Sequence, residues 1–534
     1  MAYYGKTIPS QMQGKYTRPA AGLNKYTPSH EINDNLLSDC LDALPYKETG
    51  IQLFANPATT APLTVAQAQS LGQAHISIAD ESSGSDVIVS LTENGVVGSI
   101  IVTDSVLGTQ TQLDITAMGV PADLTGFDTY SVCRYATEAA NYVVFACDAI
   151  KKLIWYDYAT VGSVTIPFYP TKIVSHANRI FALDDKNTLW WSRAGAPFNI
   201  APMTDSWYSA ITESQVLEDA GYWVVERERR LEEMCVLNEA LYLFGRQNIY
   251  IFQGTNYDTF QLSMLISDFG IKGDMFVKHL ALSNNACYVV DDGNVYEFDG
   301  QGRPRLISHP IFVNTGLTNG VLGGIPQIEF SHLTADRNRL YYYQKWHCPL
   351  TEDVINYEYL YIFDFKTRTW WKTSGLNNAT TTLSTSFHVQ LVPSYDMSKV
   401  YAVVSDWTAV RYWYLYSVFG TANTDSPYII SKAFNTMPST QETLTAIILQ
   451  LQGVVDTASD LKLYYSLTTD TDDFVEFWYN EDYIFSGDLE NIYIPVPVSI
   501  IANSHHYRIM FESAGSSVVV YNIERRFRTR GLSR

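Results

Sequence analysis

Between about residues 130 and 420 the chain repeats one arrangement of apolar and polar positions. YVVFACDAIKKLIWYDYA (142–159), RIFALDDKNTLWWSRAG (179–195), ALYLFGRQNIYIFQG (240–254) and ACYVVDDGNVYEFDG (286–300) each set an apolar run before a polar turn and a second run rich in Tyr, Trp and Phe. The same grammar returns at 339–375 and 399–416. Short Val/Ile/aromatic runs bounded by Asp, Asn and Gly predict strands in hairpins, and an irregular spacing of about 40–60 residues is that of β-propeller blades. A blade cannot bury both of its faces alone, so neighbouring blades stack around an axis and large aromatic side chains fill the gap between them.

The flanks read differently. Residues 1–30 are polar and without periodicity, which predicts an extended arm. Ile32, Leu36, Leu37, Cys40, Leu41 and Leu44 recur at steps of three and four, which predicts one short amphipathic helix ended by Pro45. Residues 50–128 are rich in Ala, Ser, Thr, Val and Gly, again in strand-like runs. After about 430 the runs lengthen and alternate, as in LKLYYSLTTDTDDFVEFWY and NIYIPVPVSII, which predicts a β-sandwich. The expectation is therefore an all-β chain: an N-terminal arm with a short helix (1–49), a β-propeller-like domain (50–425) and a C-terminal β-sandwich (426–534).

Charge narrows the function. The 534 residues carry 36 Lys+Arg against 56 Asp+Glu, a net charge of −20, yet charged residues are only 17% of the chain, against about 25% in an average soluble domain. The acidity reflects scarce bases. Affinity for nucleic acid by phosphate neutralisation needs the opposite balance, so general DNA binding is not expected. No signal-peptide-like apolar stretch opens the chain and no window approaches a membrane span, so neither secretion nor membrane insertion is expected. The six cysteines lie no closer than fourteen positions, and Cys147, Cys235 and Cys287 sit in apolar runs, which suits buried free thiols and a reducing cytoplasm.

Candidate chemistry is sparse. No phosphate-binding glycine loop, HExxH or GxSxG occurs. His505 and His506 are adjacent and so point to opposite faces of a strand, which is poor metal geometry. The acidic doublets Asp184–Asp185, Asp291–Asp292 and Asp472–Asp473 read as hairpin turns, where Asp accepts backbone hydrogen bonds, with a bound metal ion as the other use. A glycosidase would need a carboxylate pair, or a tyrosine nucleophile beside an arginine cluster. Of the pairs Trp190–Trp191 and Trp370–Trp371, at most one member each could line a sugar site, because neighbours on a strand face opposite ways. The mixed run ERERRLEEM (226–234) reads as a salt-bridged surface segment or an interface strip. No catalytic residue, metal site or cofactor is expected.

From about 179 to 314 the order of motifs resembles the tail-hub family of short-tailed bacteriophages, also called nozzle or packaged-DNA stabilisation proteins. The residues that carry it are WWSRAGAPFNI with Ser192, Pro197 and Phe198, then DSWYSA (205–210), LEEMCVLNEALYLFGRQNIYIFQGTNYDTF, DFGIKGDMFV with Gly270-Ile271-Lys272-Gly273, and ACYVVDDGNVYEFDGQGRPRLIS. A second stretch runs from LKLYYSLTTDTDDFVEFW to VVVYNIERRFRTRG. Together they cover about half of the chain, while residues 50–128 and the arm depart from the family form. The resemblance implies a non-enzymatic virion component assembled in the bacterial cytoplasm. It implies a ring of identical subunits, a hexamer by that analogy, beneath the portal adaptor. Such a ring retains packaged DNA, anchors fibres or spikes, meets a needle or plug protein and opens for ejection. An acidic wall suits a conduit along which DNA must not stick. The candidate interface residues are Arg525, Arg526, Arg528, Arg530 and Arg534, which either bridge to a neighbouring subunit or adaptor, contact DNA or are ordinary strand-end charges. Gly270, Lys272 and Gly273 join them, the glycines serving strand geometry or a partner contact. The alternative reading is a carbohydrate-binding or glycoside-hydrolysing propeller.

Overall fold

The computed structural model describes residues 12–17, 37–41, 43–46, 50–53, 63–65, 74–79, 86–93, 98–104, 110–118, 130–198, 206–207, 220–226, 228–271, 277–278, 280–283, 286–291, 294–311, 327–347, 356–373, 387–406, 413–417, 428–431, 434–435, 440–455, 461–467, 473–480, 485–496, 506–513 and 518–531. These residues form strands, turns and short 3-10 segments, with no α-helix among them. The fold is all-β, with a propeller and a sandwich.

Seven antiparallel blades follow one another in chain order among the described residues. Their first long strands are Ala74–Ala79, Tyr130–Ala136, Pro170–His176, Leu231–Leu237, Leu280–Ser283, Gln327–Ala335 and Phe387–Pro393, and in blade 6 Val277–Lys278 adds a short parallel strand beside Gln327–Ala335. Each of these touches the first strand of the next blade, and Phe387–Pro393 touches Ala74–Ala79, so the ring closes. Blade 7 takes its fourth strand from far upstream: Leu63–Val65 pairs with Trp413–Leu415. Tight hairpins join the first two strands of blades 3 and 4. Ala177–Asn178 and Asn238–Glu239 all have positive φ, the two-residue turn whose twist matches that of the paired strands.

The second unit is built from both ends of the chain. One sheet runs Ala43–Tyr46, Gly50–Leu53, Val518–Gly531, Thr440–Val455, Phe485–Pro495, with Met12–Thr17 also paired to Val518–Gly531. The facing sheet runs Leu37–Leu41, Tyr428–Ser431, His506–Ser513, Leu461–Ser466, Val475–Tyr479. The expected division at residue 49 therefore does not hold: strands Met12–Thr17, Leu37–Leu41, Ala43–Tyr46 and Gly50–Leu53 belong to the sandwich, and the propeller's strands run from Leu63–Val65 to Trp413–Ser417. The expected short helix is also corrected. Residues 32–36 lie outside the described residues, but Leu37–Leu41 and Ala43–Tyr46 are strands. A bulge between Leu37 and Asp39 breaks the strict alternation, and Leu37–Leu41 and Ala43–Tyr46 belong to different sheets. Leu37, Cys40, Ala43 and Leu44 are all buried in this way, and their three-residue steps imitate a helical stripe.

One core runs through the sandwich into blades 5 to 7, joining Leu444, Ile447 and Phe511 to Tyr341, Tyr342 and Trp371. Between the remaining blades the cores are local: Val144, Leu153 and Ile180 between blades 2 and 3, Phe181, Leu243 and Phe252 between blades 3 and 4, and Phe244, Val289 and Phe298 between blades 4 and 5. Lys372 of blade 6 lies 3.9 Å from Asp39 of the sandwich.

Candidate functional site

The polar side chains of the inner strands, where a propeller presents its channel, reach across to the next blade. Arg134 of blade 2 donates twice to the Ser77 carbonyl of blade 1, at 3.0 and 2.6 Å. The Ile173 N–H of blade 3 donates to Ser131 Oγ of blade 2 at 3.0 Å. Lys172 of blade 3 meets Glu233 of blade 4 at 2.5 Å. Ser283 Oγ of blade 5 donates to the Asp336 carbonyl of blade 6, and the Leu391 N–H of blade 7 donates to His332 Nδ1 of blade 6. Ser77 Oγ then donates to the Pro393 carbonyl, joining blade 7 to blade 1. The run 226–234 takes part: Glu232 and Glu233 are buried, Glu232 held by Arg246 at 2.7 Å and Arg230 at 3.4 Å. The run is salt-bridged as expected but only partly at the surface: Glu226, Arg229 and Arg230 are exposed, while residues 231–234 turn inward as part of a strand.

A polar cluster lies where blades 7, 1 and 2 meet. Asp86 accepts hydrogen bonds from the Tyr395 N–H at 3.0 Å and Tyr401 Oη at 2.9 Å, with Lys399 at 3.5 Å. The Arg134 guanidinium stacks over the Tyr395 ring at 4.9 Å, and burial lowers its pKa despite the nearby tyrosines and Asp86. This cluster fastens the ring at its point of closure, and the sequence signal for it, a lone Asp opening the strand DVIVSLTE, carried no motif.

The acidic turns serve hairpins. Asp184 is buried; its Oδ1 accepts the Lys186 and Thr188 N–H groups at 2.8 and 2.9 Å and its Oδ2 accepts Trp190 Nε1 at 2.9 Å. Asp336 repeats the device on the Asn338 and Arg339 N–H groups and on Tyr341 Oη, all at 2.7 Å. Burial and the Asp336 carboxylate push the Tyr341 hydroxyl well above its ordinary pKa. Asp292 and Asp472 lie outside the described residues. No group of three or more metal-ligating side chains occurs among the described residues.

The tryptophan pairs are packing elements. Trp370 and Trp371 are both buried, donating to the Ile307 carbonyl and Thr369 Oγ1 at 2.7 Å each. Trp191 is wedged against Phe252 and Phe260 of blade 4, while Trp190 stacks on Phe168 at 4.5 Å. The resemblance residues do similar work. Ser192 Oγ accepts the Ile180 N–H, the Pro197 carbonyl accepts Trp207 Nε1, and Phe198 packs on Tyr142 and Trp155.

The expected interface residues are not brought together. Arg525 is 3% exposed; it lies between the two sheets, its carbon centre 3.3 Å from the Phe434 ring centroid, and donates to Tyr507 Oη at 2.9 Å. It faces the sandwich interior and is unavailable to a partner, because strand alternation puts it on the same face as Ile523. Arg526 is half-exposed and pairs with Glu524 at 3.0 Å. Arg528 and Arg530 lie within the last strand, opposite Thr443 and Gln441. Gly270 belongs to blade 4: a Cβ there would come within 2.1 Å of the Arg246 backbone, so that site requires glycine for close approach. Arg534, Lys272 and Gly273 lie outside the described residues.

No family model and no curated protein matches the chain. Among solved structures it is similar to the extracellular domain of a hybrid two-component system from B. thetaiotaomicron, with 12% identity, a TM-score of 0.40, 89% of this chain covered and 63% of that one. The chain thus spans less than two thirds of that structure. It is also similar to YCF48 from Cyanidioschyzon merolae, with 8% identity, a TM-score of 0.38 and 66% and 98% covered. The β-propeller domain of the Trilobed protease from Pyrococcus furiosus gives 9% identity, a TM-score of 0.33 and 65% and 96% covered.

Proposed function

We propose that this chain is a non-catalytic assembly subunit of a bacteriophage tail, a hub or nozzle that works in a ring of identical copies below the portal adaptor and leaves DNA free to pass. The observation that supports it is how the scarce bases are used. Lys172, Arg230, Arg246, Arg305, Arg368, Lys372, Lys399, Lys462 and Arg526 each lie within ion-pair distance of a carboxylate of the same chain. With 56 acids against 36 bases, the charge left uncompensated is acidic, the condition under which a wall repels rather than holds a polyanion. The resemblance of the motif order from 179 to 314 to the tail-hub family supports the same reading. Ring formation and particle association are the tests. Mass photometry and negative-stain imaging of the purified chain should show closed rings, and mass spectrometry of purified phage tails should find the chain in several copies. A strict monomer that is missing from tails overturns the reading.

A further inference from the structure

The two sandwich sheets begin against blade 6, at Leu37–Leu41 and Ala43–Tyr46, and their opposite edge strands are Val475–Tyr479 and Phe485–Pro495. These edge strands expose apolar groups: Val475 (52%), Tyr479 (37%), Leu489 (53%) and Tyr493 (53%). Along Phe485–Pro495 the alternation is strict from Asn491: Ile492 and Ile494 face the core while Tyr493 faces out. From Leu489 to Ile494 its ladder with Thr440–Val455 is regular; the register shift beyond Leu489 and Pro495 at the strand's end, devices that keep an edge from pairing, bound this stretch and leave it open. Among the described residues its other side pairs with no strand.

Charge says what fits there. Residues 461–495 carry eight acids and one base, Lys462, which lies 3.7 Å from Glu476. Asp488 and Glu490 flank the exposed Leu489 directly. A second copy docking edge to edge would set carboxylate against carboxylate, whereas a basic strand would meet compensating charge. We propose that the stretch 489–494 of the strand Phe485–Pro495 is the docking edge for an extended Lys- or Arg-bearing segment of a partner protein, which adds to the sheet as one more strand. Backbone hydrogen bonds hold that segment, its apolar residues pack on Leu489 and Tyr493, and its bases meet Asp488 and Glu490. This goes beyond the tail reading and does not depend on it.

The probe is a fluorescein-labelled nonapeptide, KVTVKVTVK, with EVTVEVTVE as its acidic twin, titrated with the full chain and read by anisotropy. The basic peptide should bind and the acidic one should not, with weakening as salt screens the charges. Leu489→Lys with Tyr493→Lys should cost about 10-fold or more in affinity with an unchanged melting curve, since both side chains are exposed. Asp488→Lys with Glu490→Lys should reverse the preference between the peptides. Equal binding of both peptides, no binding of the basic one, or binding indifferent to these variants overturns the proposal. So does self-association of the chain that the apolar pair of substitutions abolishes, which would give the edge to a second copy.

Discussion

Arg525 offers the sharpest test of where the C-terminal arginines act. Its guanidinium is buried between sheets with a phenolic oxygen and an aromatic face as partners. Truncation to Ala removes a hydrogen bond from a charged donor, worth about 2 kcal/mol, and a desolvated cation–π contact of about 2 kcal/mol. It also leaves a cavity where the side-chain stem lay. Against this, the variant no longer buries a charge, a relief of several kcal/mol at most. Arg525→Ala is therefore expected to destabilise the sandwich by about 2–3 kcal/mol. Arg525→Met keeps the packed stem and loses the burial cost, so it should stay within about 1 kcal/mol of the parent or exceed it. Urea unfolding with hydrogen exchange on the strand Val518–Gly531 measures both. If Ala leaves stability unchanged while ring assembly fails, the guanidinium acts outside the sandwich and this reasoning is wrong.

Ending the chain before Arg525 removes seven ladder positions against Thr440–Val455 and four against Met12–Thr17, so the whole sandwich should fail to form while blades 2 to 5 keep their exchange protection; a sandwich that stays protected would contradict the central place of that strand. Gly221→Ala would place a Cβ 2.5 Å from Trp191, which Phe252 and Phe260 hold in place, and should cost about 1–3 kcal/mol by urea unfolding. Gly162→Ala meets the half-buried Trp155 and should cost less, so an equal cost at the two sites would argue against the role of burial. Burial pushes the Cys133 thiol and the Tyr135 hydroxyl up to about 12 from ordinary values of 9.0 and 10.0. Because the folded values are raised, their stabilising contribution is complete below pH 9 and is lost as pH rises toward 12. A phenolate titration by ultraviolet absorbance should therefore show late tyrosines that ionise together with loss of the circular dichroism signal; ionisation of every tyrosine near its ordinary value in an intact fold would refute this.

The blade hairpins were legible because their information is local. In RIFALDDKNTLWW, apolar runs, an Asp turn and a tryptophan pair predict two strands, and Arg179–Asp184 and Thr188–Trp191 are those strands. The same locality explains the misreading at 32–44, where a bulge and a change of sheet produced helical spacing. What the chain does not advertise is pairing at long range. Nothing in LTV at 63–65 names Trp413–Leu415 as its neighbour, and nothing in MQGKYT at 12–17 names the arginine-rich strand. Arg525 was legible in part: two-residue alternation from Ile523 places it inward, but its charge argued for the surface. The seam contacts, such as Arg134 with Ser77 and Tyr401 with Asp86, join single residues 57 and 315 positions apart and leave no motif.

The strand that takes Met12 opposite Arg528 has a consequence for biosynthesis. The ribosome releases the partner of Met12–Thr17 some 500 residues later, and at roughly 5–20 residues per second that is a delay of about 25–100 s. Leu63–Val65 and Leu37–Leu41 wait for shorter spans, until Trp413–Leu415 and Tyr428–Ser431 emerge, while blades 1 to 6 need only nearby sequence and can form as they emerge. The propeller thus matures in order along the chain, and the sandwich is completed only once Val518–Gly531 has emerged. A ribosome stalled before the final strand would leave its nascent chain with a nearly finished propeller and an unclasped, aggregation-prone beginning.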